Sequence, residues 1–151
     1  MNVDELRLQK IRFECEQHIS KLSSAHRKLK PLFPLTLTVY QGFNDDTVSY
    51  LDQYLYRFSK LQDSIGQKLF KAVLAYKKEE VSSKPFIDIV NRLEQLHYIN
   101  DVDGWFELRN IRNQLAHDYE DNSVELIVIL NNIFAMKERL ESYYFSIVEK
   151  L

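Results

Sequence analysis

Arg109-Asn110-Ile111-Arg112-Asn113-Gln114-Leu115-Ala116-His117-Asp118-Tyr119 gathers two arginines, two asparagines, a histidine and a tyrosine within eleven residues, and no other stretch is so equipped for chemistry. Guanidinium groups present planar pairs of donors that fit phosphate oxygens, and an imidazole exchanges protons near neutral pH. The stretch therefore reads as a nucleic-acid or nucleotide site. Cleaving RNA without a metal needs a group that deprotonates or polarises the 2′-hydroxyl, a proton donor for the leaving 5′-oxygen, and positive charge for the crowded phosphorane. Histidine and arginine match those demands.

A helix must position them. Each helical residue advances about 100°, so Phe106, Asn110, Asn113 and His117 line one stripe, while Leu108, Ile111 and Leu115 form another that faces the core. Arg112 flanks the polar stripe. Five residues separate it from His117, about 140° around and about 7.5 Å along the axis, so one ideal helix does not aim both at one atom. A second copy packed across a two-fold axis brings the arginine of one to the histidine of the other. His117 lies near the expected helix end, where the macrodipole, Asp118 and Glu120 favour its imidazolium.

Arg112, four intervening residues, His117, one residue and Tyr119 form an R-x4-H-x-Y pattern that resembles the HepT branch of the HEPN proteins. Tyr56-Arg57-Phe58-Ser59-Lys60-Leu61-Gln62-Asp63 and Ile65-Gly66 also resemble that family, so the likeness spans most of the chain. The resemblance implies an all-α, five-helix up-down bundle, a two-fold homodimer, and a metal-independent endoribonuclease toxin of a type VII-like toxin-antitoxin pair. It assigns Arg112 to phosphate positioning and transition-state stabilisation, and His117 to proton transfer. Asn113 orients the imidazole or the phosphate, and Arg109 is a supporting charge. The products would carry a 2′,3′-cyclic phosphate and a 5′-hydroxyl. It further implies an MntA-like nucleotidyltransferase antitoxin that transfers AMP to Tyr119, placing bulk and negative charge where substrate phosphate binds. An ordinary phenol near pKa 10 is a poor base at neutral pH, so Tyr119 reads as a handle for modification. The alternatives are a non-catalytic nucleotide-binding or adaptor subunit of such a nucleotidyltransferase, and a purely structural helical module.

The rest of the sequence bounds these readings. At 151 residues, 45% hydrophobic and 13% aromatic, the chain suits one domain over residues 1–151 with a single core. Three glycines and three prolines are too few for a many-stranded sheet or a glycine-rich phosphate loop. Twenty basic against twenty-two acidic residues, a formal charge of −2, disfavours a protein that coats nucleic acid through net charge and leaves room for a focused site. A lone Cys15, no secretory-type amino terminus and no apolar run near the roughly 20 residues of a bilayer span lead to the expectation of a soluble, cytoplasmic protein.

Spacing of apolar residues predicts helix one over about Asp4 to Lys30, using Leu6, Ile11, Ile19, Leu22 and Leu29 and ending at Pro31, followed by a long loop to Asn44. Helix two starts at Asp45 and Asp46 and carries Val48, Leu51, Leu55, Phe58, Leu61, Ile65, Leu69 and Val73 inward. Helix three runs from Pro85 to about Tyr98. Helix four covers Val102 to Tyr119 after a cap at Asn100-Asp101. Helix five follows Asn122, Ser123 and Glu125 to the carboxyl terminus, with Leu126 to Met136 apolar on nearly every side and so enclosed or shared with another subunit.

Other pairings read as ordinary. Glu94 and His97 lack the second E-x-x-H motif of a di-iron bundle, and Cys15 with His18 lacks a second pair for zinc, so no metal and no cofactor is expected. His26, among basic residues, is expected to be solvated. Tyr50, Tyr54, Arg57 and Lys60 would make an aromatic and basic strip or a partner interface. Asp63 reads first as a surface charge, and as a partner for a site arginine second.

Overall fold

The computed structural model describes residues 2–118 and 124–151, with residues 117 and 118 described by backbone alone. Every regular element among the described residues is helical, as the scarcity of turn formers predicts.

Asn2 opens α1 (Val3–Leu29), its side chain accepting the Glu5 N–H at 2.8 Å while Asp4 and Glu5 sit at the positive end of the dipole. Ile11, Leu22 and Leu29 are buried as the spacing requires and Ile19 is half-buried, but Leu6 is exposed and Leu8 takes the buried position in its place. Asn44 caps α3 (Asp45–Asp63) by accepting the Thr47 N–H at 2.9 Å. This helix continues without a break through a π-helical turn, Ser64–Leu69, into α4 (Phe70–Tyr76). The three together form the long second helix expected from the sequence, and α1 packs along all of them.

Two helix ends use the left-handed conformation without glycine. Lys78, at φ 65°, closes α4 with Lys78 N–H on Ala75 and Glu79 N–H on Leu74. His97, also at φ 65°, closes α5 (Phe86–Gln95) with His97 N–H on Glu94 and Tyr98 N–H on Leu93. Both are Schellman motifs, in which non-glycine residues accept a steric cost to satisfy orphan carbonyls. The second ends α5 three residues before the predicted Tyr98, and Pro85 precedes the helix as its cap.

Asp101 accepts the Gly104 N–H at 2.9 Å and so starts α6 (Val102–Asp118) at the expected break. Leu108 and Leu115 are buried, whereas Ile111 is half-buried. The predicted capping residues Asn122 and Ser123 lie outside the described residues; α7 (Val124–Ala135) buries Leu126, Ile127, Ile129, Leu130 and Ile133 and leaves Val124 and Val128 exposed.

The last predicted helix is two. The ladder tightens at Met136, whose N–H bonds Ile133 O at 3.2 Å and whose ψ of 4° leaves the helical range, and α8 (Lys137–Glu149) follows, burying Leu140, Tyr144 and Ile147. The predicted loop of residues 31–44 is also more ordered than its extended-favouring sequence suggests. It holds a 3-10 turn, Lys30–Leu32, and a short α2 (Leu37–Gln41) capped by Thr36. Tertiary contact overrides the local preference, since Asn131 of α7 accepts from Leu35 N at 2.7 Å and donates to Leu35 O at 3.0 Å. The buried residues form one contiguous cluster, and each of its large aliphatic side chains contributes on the order of 1.5–3 kcal/mol before entropy is counted. No helix among the described residues is long and apolar enough to cross a membrane.

Candidate functional site

A cleft of about 310 Å³ opens where the junction of α3 with its π turn meets α6, with Phe86 from the start of α5 at its side. Its chemistry comes from α6, which sends Arg109, Arg112 and Asn113 to it, and from Asp63 on the facing helix.

Arg112 and Asp63 meet fork to fork: Nη1 donates to Oδ1, and Nη2 donates to Oδ2 at 3.0 Å. Of the two expectations for Asp63, an ordinary surface charge and a partner for a site arginine, the fold realises the second. Both side chains remain about a third exposed, so the pair adds at most about 1 kcal/mol to stability. Its effect is geometric. A guanidinium has five N–H donors, and a carboxylate that takes two holds the plane fixed and leaves the others for a second anion.

Arg109 is exposed and lies over the Phe86 ring at 5.1 Å and the Phe106 ring at 5.7 Å, so two aromatic faces hold a cation beside the cleft. Asn113 is exposed on the same rim. Asn110, from the same predicted stripe, is exposed but does not line the cleft. The backbone carries His117 into the last turn of α6, about 7.5 Å along the axis from Arg112. Tyr119 lies outside the described residues.

The opposite wall departs from α-helical geometry. Phe70 N–H reaches Ile65 O, a five-residue step within the π turn, and such bulges concentrate at functional sites. Gly66 sits there because a Cβ would stand 2.7 Å from Cζ2 of Trp105; without one, the indole closes directly on the helix backbone.

Two residues of this wall escaped the sequence reading. Gln62 is 2% exposed and Trp105 1% exposed, yet both amide atoms of Gln62 and Nε1 of Trp105 lack a hydrogen-bond partner among the described residues. Leaving such a group buried and unpaired costs about 1–3 kcal/mol. A signal was available, since Gln62 falls four residues after Phe58 and three before Ile65, on the apolar stripe of its own helix.

Other expected groupings come apart. Tyr54 is buried and gives its hydroxyl to the Ile133 and Phe134 carbonyls at 3.2 and 3.1 Å, so no strip with Tyr50, Arg57 and Lys60 exists on the surface. Tyr50 instead packs under Lys28, and Arg57 bonds His18 Nδ1 at 3.0 Å. Cys15 is fully buried, and desolvation pushes its thiol up to about 12. Glu94 accepts the Val102 N–H at 3.1 Å, a capping role at the start of α6. His26 is half-buried and stacks on Phe134 at 4.6 Å, contrary to the solvated position expected, and burial lowers its pKa.

No family model, no curated protein and no solved structure matches this chain.

Proposed function

We propose that the protein is a metal-independent endoribonuclease of the HepT-like HEPN type, in which Arg112 binds and polarises the scissile phosphate and His117 transfers the proton. The observation that carries this reading is the Asp63–Arg112 fork on the rim of a cleft shared with Arg109 and Asn113. A guanidinium oriented in this way, with donors left over, is what a developing phosphorane requires.

Two arginines against one aspartate leave the cleft with a formal charge of +1, a local anion site on a chain of net charge −2. The spacing of Arg112 and His117 favours a composite site in a two-fold homodimer, each copy lending one residue to the other. Val124 and Val128, one turn apart and exposed on the helix that packs against α6, supply apolar surface for such an association. Tyr119, two residues past His117, is the position where an MntA-like nucleotidyltransferase would add AMP and block the phosphate.

The test is cleavage of defined RNA in EDTA by the parent protein and by Arg112→Ala and His117→Ala, with the new ends identified. Cyclic-phosphate ends made by the parent and reduced about 100-fold or more in both variants are expected. Equal activity in all three removes the site. Inactivity of the folded, unmodified parent at every concentration reassigns the cleft to a non-catalytic adaptor.

A further inference from the structure

We propose that the cleft beside Arg112 is a nucleobase subsite, floored by the Gln62 carboxamide and the Trp105 indole N–H, which reads one base of the RNA whose phosphate Arg112 holds.

Three polar atoms carry it. Gln62 Oε1, Gln62 Nε2 and Trp105 Nε1 are buried without partners among the described residues, and both residues line one cleft. Together they amount to an acceptor and two donor groups, retained at a cost of about 1–3 kcal/mol each, which for Gln62 a methionine of similar shape would avoid. Such a cost in a folded chain points to a ligand that completes the bonds. The ligand is planar, with donors and acceptors side by side on its edge. A carboxamide presents one donor and one acceptor about as far apart as those on a base edge, the geometry by which glutamine reads bases in general. The indole N–H asks for one further acceptor, which every nucleobase offers as a ring nitrogen or carbonyl.

The surroundings select for a nucleotide over another planar molecule. Phe86 supplies an aromatic wall, and Arg109 and Arg112 stand at the rim. At about 310 Å³ the space is at the small end of ligand pockets, suited to one base with its sugar. Gly66 is part of the same construction, since a side chain there would push Trp105 into the space the base needs. The inference rests on the ribonuclease reading only in taking the ligand to be part of RNA.

Trp105 is the only tryptophan of the chain, so its fluorescence reports the cleft directly. The parent protein is titrated with the four nucleoside 5′-monophosphates and with ribose 5-phosphate, which carries the same phosphate and no base. At least one nucleotide is expected to change Trp105 emission and to bind about tenfold or more tighter than ribose 5-phosphate, the lower part of what a two-bond base contact gives. Gln62→Met should remove that discrimination while leaving thermal stability equal or higher, and Arg112→Ala should weaken nucleotides and ribose 5-phosphate alike. Equal binding of all five compounds, no binding of any up to about 10 mM, or unchanged discrimination in Gln62→Met overturns the subsite. The first two comparisons need no variant, so a Gln62→Met protein that does not fold leaves the proposal open to refutation. RNA cleavage without base discrimination sinks the subsite and keeps the nuclease; base discrimination without cleavage does the reverse.

Discussion

Within one turn of each other, α3 and its π turn carry two polar clusters that treat hydrogen bonding in opposite ways. On the side facing α1, Glu14 accepts from Lys68 at 2.8 and 3.1 Å and from Ser64 at 3.2 Å, while His18 meets Arg57 at 3.0 Å. Every member of this network has a partner. On the side facing α6, only two residues along, Gln62 and Trp105 Nε1 have no partner among the described residues, although the adjacent Asp63 grips Arg112. A satisfied network fixes the packing of one helix on another, whereas open groups beside a cleft hold interaction energy for something else. The contrast separates polar residues whose bonds hold helix to helix from those that the proposed subsite assigns to a ligand.

Breaking the cleft side at its tightest contact should have the largest effect. Gly66→Val places methyl groups into a buried indole with nowhere to go, and should cost about 3 kcal/mol, the upper part of the range for overpacking. Chemical denaturation measures the loss, and altered Trp105 emission in the folded fraction locates it. Loss below about 1 kcal/mol with native emission would show that the indole is free to move, and that the close approach of Gly66 is incidental.

Asp63→Asn tests orientation rather than packing. The arginine loses its fixed plane but also its counter-charge, so kcat should fall about tenfold, near 1.4 kcal/mol, while KM stays level or drops because the ground-state phosphate meets a freer cation. Stability should change by less than about 1 kcal/mol, in keeping with a pair this exposed. A rise in kcat would recast Asp63 as a brake on Arg112, and partial recovery in Asp63→Glu would support its role in positioning.

How much of this was legible beforehand follows from the kind of interaction involved. The long second helix and its inward set are period-encoded, and the structure follows them from Leu51 to Val73, while Val48, expected inward with them, is exposed in the first turn. Arg112, Asn113 and Arg109 share the cleft because helical spacing alone brings them to neighbouring faces. Partners of distant sequence do not follow from spacing: Asp63 is forty-nine residues from Arg112, and the Asn131 clamp that orders Leu35 spans ninety-six. Gln62 was hidden for a different reason, since a single polar residue on an apolar stripe reads as an imperfection until its unpaired amide is seen. The break at Met136 carries no glycine or proline; it falls where the apolar run gives way to Lys137-Glu138-Arg139, a change of composition that a continuing helix tolerates as well, and a tightened hydrogen bond marks the turn.

The satisfied network should give the smallest effect and one set by pH. Burial first, and the neighbouring Arg57 cation second, lower the pKa of His18 below the ordinary 6.5, and burial does the same for His26 on the far end of α1. The unfolded chain therefore takes up those protons more readily than the folded one. Their contribution to stability is complete above pH 6.5 and drains away as pH falls from 6.5 toward the folded values. Glu14 acts lower on the scale: its hydrogen bond from Lys68 depresses its pKa below 4.5, so that contribution persists until pH drops through the folded value. With Lys68 half exposed, the pair is worth about 0.5 kcal/mol. Thermal unfolding of the parent protein should show a first loss of Tm as pH falls below 6.5 and a second below 4.5. His18→Gln should flatten the first step and leave the second, while Glu14→Gln should flatten only the second. Neither variant should alter RNA cleavage or nucleotide discrimination at neutral pH. If either does, the two faces of the helix are coupled through the π turn, and the division between building and binding residues fails.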